Sequence, residues 1–217
     1  MNIDGLLKKY FAQSDVAPTI EVFDKNSIYN VYTDIVKLLN SYSEIELGVL
    51  QALSYCFYEV LDNVLTHSEK ICGTVLMRYL PSGNMIQVLV ADDGIGVQKS
   101  LSANPVYSTI TESDAVAACI KDKVTDGKGM GFGLYSTARL IKNAGIRLDI
   151  HSGKNVMSYD GIDVNVCECE YWQGTIVYFE LYSNKDIDPN EVVDNRTDCA
   201  EQFNETFIDI DGIDNLW

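Results

Sequence analysis

Three polar residues follow one another at intervals of four: Glu59, Asn63 and His67. Residues four apart on a helix drift by only about 40° around its axis, so these side chains climb one edge of the helix and can face the same cleft. A carboxylate, an amide and an imidazole are thereby brought together. Alone, this spacing is more typical of a solvated helix face, and other motifs must supply the context.

A strand-like apolar run at 88–91 delivers two acids, Asp92 and Asp93, directly into a turn that contains Gly94 and Gly96. A carboxylate at the end of a strand can accept a hydrogen bond from an exocyclic amine. The glycines allow a flat ring to approach the backbone. Taken alone, the segment predicts only a turn.

Three alternating glycines, Gly129, Gly131 and Gly133, lie just before a predicted helix. Backbone N–H groups exposed there, together with the helix dipole, suit phosphate oxygens. Two common phosphate motifs do not fit. A dinucleotide fingerprint requires GxGxxG at the first helix of a βαβ unit, whereas this chain has GxGxG late in the sequence with no parallel crossover around it. A P-loop requires Ser or Thr directly after its Gly-Lys pair, but Gly127 and Lys128 are followed by Gly129.

One long helix is predicted to carry the first motif, because apolar residues recur at helical spacing through residues 44–67. Strands at 73–80 and 85–91 read as a hairpin. The remaining predictions are a short strand at 19–23, a helix to about residue 39 capped by Asp24 or Asn26, a helical piece near 114–121 capped by Ser113 or Asp114, a helix to about residue 144 closed by a left-handed Gly145, and strands at 146–151, 162–170 and 174–182.

This order of elements predicts an α+β fold. We expect a two-layer sandwich with helices on one face of a mixed, mostly antiparallel sheet, and no doubly wound parallel sheet. Three segments are expected: a lead-in and first helix at 1–43, one domain at 44–184 with a mobile loop at 97–128, and a tail at 185–217. The tail holds ten Asp/Glu against two Lys/Arg, yet its end is rich in large apolar residues: Phe207, Ile208, Ile210, Ile213, Leu216 and Trp217.

The formal net charge of −16 argues against polyanionic partners, because repulsion slows encounter with nucleic acid or an anionic membrane. No apolar run reaches the roughly 18 residues of a membrane span, and no secretion signal is evident. We therefore expect a cytosolic (cytoplasmic) protein. Its cysteines, including Cys167 and Cys169 on one face of a strand, are expected to be reduced structural thiols.

Together and in this order, the three motifs resemble those of the GHKL superfamily, which includes gyrase, the heat-shock chaperone, histidine kinases and MutL. Glu59, Asn63 and His67 match its N box, whereas Asp92, Gly94 and Gly96 match its first glycine box. The second box corresponds to Gly129, Gly131, Gly133 and Leu134, and the closing Gly-Thr strand to Gly174 and Thr175. The resemblance covers residues 44–182 and implies the Bergerat-type sandwich.

The resemblance also implies roles in binding ATP and Mg²⁺. Asn63 would coordinate the Mg²⁺ that bridges the phosphates, and Glu59 would orient or deprotonate attacking water. Asp92, rather than Asp93, would accept the adenine amino group, with Thr175 supporting that end. The glycines of the second box would cradle the phosphates under a lid formed by residues 97–128.

Two further residues keep alternatives open. His67 either approaches the terminal phosphate or ends its helix as a favourable cation. Gyrase-like and MutL-like ATPases take a catalytic cation from a second domain, for which we expect no room here. Without such a cation, ATP hydrolysis would be slow. Lys128 is a candidate to take its place.

A self-phosphorylating histidine kinase needs an acceptor histidine on a separate helix. The sequence offers only His67, inside the N box, and His151, in a late strand, so we do not expect that activity from this chain alone.

The leading hypothesis is therefore a signal-transduction protein, similar to the small anti-sigma-factor kinases, that uses Mg-ATP to phosphorylate a serine of a STAS-like partner. A slow ATPase that dimerises on lid closure, and a non-catalytic module stabilised by ATP, remain as alternatives. The acidic tail would serve docking or self-association.

Overall fold

The computed structural model describes residues 3–11, 14 and 16–193. Its sheet has five strands, and two short 3₁₀ turns lie at Pro81–Gly83 and Pro105–Tyr107. In chain order the helices and strands are α1 (Ile3–Tyr10), β1 (Thr19–Asp24), α2 (Ile28–Asn40), α3 (Leu47–His67), β2 (Cys72–Leu80), β3 (Met85–Ala91), α4 (Val97–Leu101), α5 (Glu112–Ala118), α6 (Gly133–Ala144), β4 (Gly145–Tyr159), β5 (Val164–Tyr182) and α7 (Pro189–Val193).

The sheet has the strand order β1-β2-β3-β5-β4, and every neighbouring pair is antiparallel. The predicted hairpin of β2 and β3 is confirmed, with Leu80 paired to Met85 beside the turn. Strand β5 lies between β3 and β4, and all of β3 pairs with the C-terminal part of β5, from Met85 opposite Tyr182 to Ala91 opposite Ile176. The α+β fold class predicted from the sequence is confirmed.

The main core lies between the sheet and helices α2, α3 and α6. Phe57 and Leu61 of α3 are fully buried against this face, as are Val88 of β3 and Phe179 of β5. Burying side chains of this size contributes about 1.5–3 kcal/mol each. The long helix that carries Glu59, Asn63 and His67 is thereby fixed against the sheet.

The opposite face of the sheet carries a helix that the sequence analysis did not predict. Helix α1 packs Leu6 and Tyr10 against Tyr178 of β5. The Arg78 guanidinium donates hydrogen bonds to the carbonyl oxygens of Phe11, at 3.0 Å, and of Val16, at 2.8 Å, which ties the segment down. An eight-residue helix is too short to be stable by propensity, so tertiary contacts decide its existence.

Three late strands were predicted, but the structure has two long ones. The expected break between residues 170 and 174 is absent, because β5 runs continuously through Gly174 at φ +95°. Strand β4 likewise continues past residue 151 through an irregular stretch at Gly153. Pairing between β4 and β5 on both sides of this irregular stretch holds the two strands together despite unfavourable local propensity.

The predicted left-handed Gly145 is wrong. Its backbone is extended, at φ −87° and ψ 170°. A Cβ at this position would lie 2.4 Å from the Ile141 Cα, so glycine is needed for the close turn from α6 into β4.

Two predicted helix caps are also corrected. Ser27 stands at the N-cap of α2, while the Asp24 carboxylate accepts the N–H groups of Asn26 and Ser27 in the preceding turn. Thr111 caps α5 by accepting the N–H of Asp114.

The predicted tail begins with residues that pack on the domain. Val192 of α7 is fully buried, and the Ile187 carbonyl would lie 2.2 Å from a Cβ at Gly48 of α3. The rest of the tail, 194–217, lies outside the described residues, as do its apolar end and Cys199. Among the residues the structure describes, no helix is long and apolar enough to cross a membrane.

Candidate functional site

A cavity of about 510 Å³ opens between α3, the C-terminal end of β3, the part of β5 around Thr175, and the glycine segment before α6. Its volume lies in the range of small-molecule sites. Apolar walls come from residues such as Val90, Leu101 and Val177. All but one of the residues predicted for the site line it: Glu59, Asn63, His67, Asp92, Gly96, Lys128, Gly129, Gly131, Gly133, Leu134 and Thr175.

The exception, Gly94, lies behind the wall and holds Asp92 in place. Its N–H donates a 2.7 Å hydrogen bond to Asp92 Oδ1. The Asp92 N–H donates to the Thr175 carbonyl at 2.9 Å, and Trp172 Nε1 donates to the Asp92 carbonyl at 2.8 Å. The Asp92 carboxylate is therefore fixed at the cavity wall with acceptor capacity left for a ligand.

Two glycines are required for this close arrangement. A Cβ at Gly94 would lie 2.2 Å from the Ser68 carbonyl oxygen, at the C-terminal end of α3. At Gly174 the backbone has φ +95°, and a Cβ would lie 2.3 Å from the Asp92 carbonyl oxygen. A larger residue at either position would push α3, β3 and β5 apart.

Asp92 and its neighbour Asp93 have different environments. Burial raises the pKa of Asp92 to about 6, opposed by the hydrogen bond from Gly94, so the group is mostly ionised at neutral pH. The Asp93 side chain is 74 % exposed and pairs with Lys70 Nζ at 3.3 Å, pointing away from the buried wall. Of the two acids, only Asp92 lines the cavity.

The first and third motifs meet at Gly133, the first residue of α6. A Cβ there would lie 2.9 Å from Glu59 Oε2 and 3.2 Å from Asn63 Nδ2. A side chain at this position would displace both polar groups. The glycine thus brings the N-terminus of α6 against the polar edge of α3.

The Glu59 carboxyl group has an altered affinity for protons. Burial, reinforced by the negative charge of Asp62, raises the pKa of Glu59 to about 7. A carboxyl group with a pKa near the working pH suits general base catalysis.

One residue that lines the cavity with two hydrogen-bonded neighbours, Asp126, was not predicted from the sequence. Its side chain is 1 % exposed and lies 2.8 Å from His67 Nδ1 through Oδ2. Burial alone would raise the pKa of Asp126, but hydrogen bonds from His67, the Lys128 N–H and Ser100 outweigh it, and the pKa lies below its ordinary value. Only its position in the predicted loop, two residues before Lys128, could have suggested a role, since its partner His67 is 59 residues away.

The charges of the cavity are unbalanced. The wall carries four acids, Glu59, Asp62, Asp92 and Asp126, whereas Lys128 and His67 are its basic side chains among the described residues. A polyphosphate would be repelled unless a divalent cation accompanied it. Among these residues no cluster of three or more His, Cys, Asp or Glu side chains could hold a metal, so a cation would take most ligands from phosphate and water.

An α+β fold with a glycine-lined cavity, a fixed buried acid and polar groups at a helix N-terminus defines a nucleotide-binding protein. The family model for the histidine kinase-, DNA gyrase B- and HSP90-like ATPases matches residues 48–184. The chain belongs to this family and is an ATP-binding protein of the GHKL type. No curated protein gave a match to the chain.

Proposed function

We propose that this protein binds Mg-ATP in the cavity and transfers its terminal phosphate to a serine of a partner protein resembling a STAS domain, thereby controlling that partner in signal transduction. The observation that carries the proposal is the meeting of Glu59, Asn63 and Gly133 at one end of the cavity, with Asp92 fixed elsewhere on its wall. The group proposed as the base is thus adjacent to the helix terminus proposed to bind phosphate.

The two parts of the cavity suit different parts of the nucleotide. Asp92 would accept the adenine amino group, with Thr175 supporting it, against the apolar wall. Gly129, Gly131 and Gly133 would bind the phosphates together with Lys128. The Asn63 amide oxygen is a hard donor of the kind that Mg²⁺ prefers, and a bound Mg²⁺ would neutralise phosphate charge beside the acids of the wall.

Glu59 is proposed as the catalytic base. With its pKa near 7, the carboxyl group is partly ionised at neutral pH and can take a proton from an attacking hydroxyl. A serine hydroxyl and a water molecule present the same O–H to this group. The choice between kinase and ATPase therefore depends on which of the two reaches the cavity.

Residues 97–128 are proposed as the lid, and they are attached to the sheet at two places. The Val97 N–H donates to Ser152 Oγ at 3.0 Å. Glu112 of α5 accepts the Lys154 N–H at 3.2 Å and the Asn155 amide at 3.3 Å. These contacts hold α4 and α5 of the proposed lid against β4.

A slow ATPase is the second candidate. Lys128 is the side chain best placed to stabilise phosphate charge, but its Nζ lies 4.0 Å from Asp126 Oδ2 and 3.4 Å from the Thr66 carbonyl. Because Asp126 partly neutralises the Lys128 charge, this lysine stabilises the transferring phosphate less, which favours slow phosphoryl transfer. If the protein dimerises on binding ATP and no phosphoprotein forms, the slow ATPase is supported. If an ATP-dependent interaction with a partner survives Glu59→Ala, the protein is a non-catalytic module.

Removal of residues 194–217 tests the proposed docking role of the acidic tail. We expect the chain ending at residue 193 to bind ATP as tightly as the full chain and to lose most phosphorylation of a STAS-like partner, measured with labelled ATP. Equal phosphorylation by both chains would contradict the docking role. A chain ending at residue 184 is the control for packing, because loss of the buried Val192 should lower its melting temperature.

A further inference from the structure

One carboxylate joins three separate parts of the cavity wall. Asp126 Oδ2 accepts hydrogen bonds from His67 Nδ1 at 2.8 Å and from Ser100 Oγ at 2.8 Å. Its Oδ1 accepts the Lys128 N–H at 2.9 Å. His67 ends α3, Ser100 lies in α4 at the start of the lid, and Lys128 begins the glycine segment. The carboxylate therefore links both ends of the lid to the long helix.

This contact sets the orientation of the imidazole. A carboxylate only accepts hydrogen bonds, so the His67 ring carries a proton on Nδ1. The other ring nitrogen, Nε2, faces the glycine segment, where a Cβ at Gly129 would lie 3.8 Å away. Nε2 is thus directed to the place proposed for the phosphates, and it donates a hydrogen bond to a phosphate oxygen when the ring carries a proton on both nitrogens.

We propose that Asp126 is a positioning residue for the phosphate end of the ATP site: it holds the His67 ring and the Lys128 backbone in the orientation that phosphate requires. The inference rests on the proposed ATP site. It adds an acid that contacts no phosphate and acts through the groups that do.

A competing role can be formulated for the same contacts. The carboxylate could stand in for phosphate in the nucleotide-free protein and leave when ATP binds. The geometry favours retention. Asp126 is almost fully buried and accepts three hydrogen bonds, and its pKa lies below the ordinary value, so expelling the charged group would break a satisfied buried network. The two roles predict opposite effects of substitution.

The test is the affinity of Asp126→Asn for ATP and for adenosine, measured by calorimetry. An asparagine that still accepts the Lys128 N–H turns its NH₂ group toward His67 and Ser100, so His67 loses the acceptor for its Nδ1–H, and Nδ1 can only accept from the new amide. We expect ATP affinity to fall about tenfold and adenosine affinity to stay within about twofold. The matched control is Asp163→Asn, an exposed acid in the β4–β5 turn, with both affinities unchanged.

A double-mutant cycle tests whether Asp126 acts through His67. In a His67→Ala background, Asp126→Asn should lower ATP affinity much less than it does alone, because the group being positioned is gone. Ser100→Ala keeps the His67 contact and should have a smaller effect than Asp126→Asn.

Three results would overturn the inference. An equal loss of ATP and adenosine binding in Asp126→Asn would indicate a merely structural role, and a rise in ATP affinity would indicate that the carboxylate competes with phosphate. Full additivity of Asp126→Asn with His67→Ala would show that Asp126 does not act through His67. If the wild-type protein bound no ATP, the proposed function itself would fail. If wild-type binding depended on Asn63 and Asp92 but not on Asp126, only the inference would fail.

Discussion

Asp92→Asn is expected to weaken ATP binding by about 10- to 100-fold, the effect of losing a hydrogen bond to a charged group. Gly94 determines how the new amide group is oriented. Its N–H requires an acceptor at the position of Oδ1, so the new amide keeps its oxygen there and presents NH₂ to the cavity. An adenine amino group would then face a donor instead of an acceptor. Isothermal calorimetry measures the change directly.

Asp93→Asn is the matched control for this prediction. Asp93 is the adjacent acid, but it is exposed and paired with Lys70 outside the cavity. Its substitution should leave ATP affinity within about twofold of the wild type, since exposed ion pairs contribute little. If Asp93→Asn weakened binding and Asp92→Asn did not, the assignment of the adenine contact would be reversed.

Glu59→Gln is expected to retain ATP, to lose phosphoryl transfer by about 10²- to 10⁴-fold, and to stabilise the fold above pH 7. The folded state raises the pKa of Glu59 from the ordinary 4.5 to about 7, chiefly through burial. The native protein therefore binds this proton more tightly than the unfolded chain does. Its free energy of unfolding falls as pH rises through this range, by up to about 3 kcal/mol.

The stability of Glu59→Gln should accordingly exceed that of the wild type at pH 8 and lose this advantage at pH 4, as measured by urea unfolding. Asp62→Asn serves as the control, because the Asp62 charge is the smaller cause of the raised pKa and burial of Glu59 remains. It should preserve most of the pH dependence. A difference in stability between the wild type and Glu59→Gln that does not vary between pH 4 and 8 would contradict the account of Glu59.

Local patterns in the sequence predicted the elements that carry the motifs. Helix α3 was found because its apolar positions recur at helical spacing, and the β2–β3 hairpin because its turn lies between two apolar runs. The cavity could be anticipated because the boxes occur in the order of a known family. The family's motif spacing favoured Asp92 over Asp93 as the residue facing the cavity. In the structure Asp92 is buried and lines the cavity.

Features stabilised by distant contacts were not predictable in the same way. Helix α1 depends on Arg78 and Tyr178, which lie far along the chain. Asp126 looks like an ordinary turn acid in sequence, and only the folded chain brings it to His67. Strand β5 likewise continues through Gly174 because it pairs with β4 on both sides of the irregularity there, and not because of local propensity.

Thermal unfolding with and without Mg-ATP tests the central claim, that the cavity is an ATP site, most directly. A ligand that binds only the native state stabilises it by about 2.7 kcal/mol at 100 times its Kd. We predict a clear rise in the melting temperature of the wild-type protein that depends on both ATP and Mg²⁺ and is strongly reduced in Asn63→Ala and Asp92→Asn. An unchanged melting temperature for the wild type, or an undiminished rise in both variants, would contradict the account.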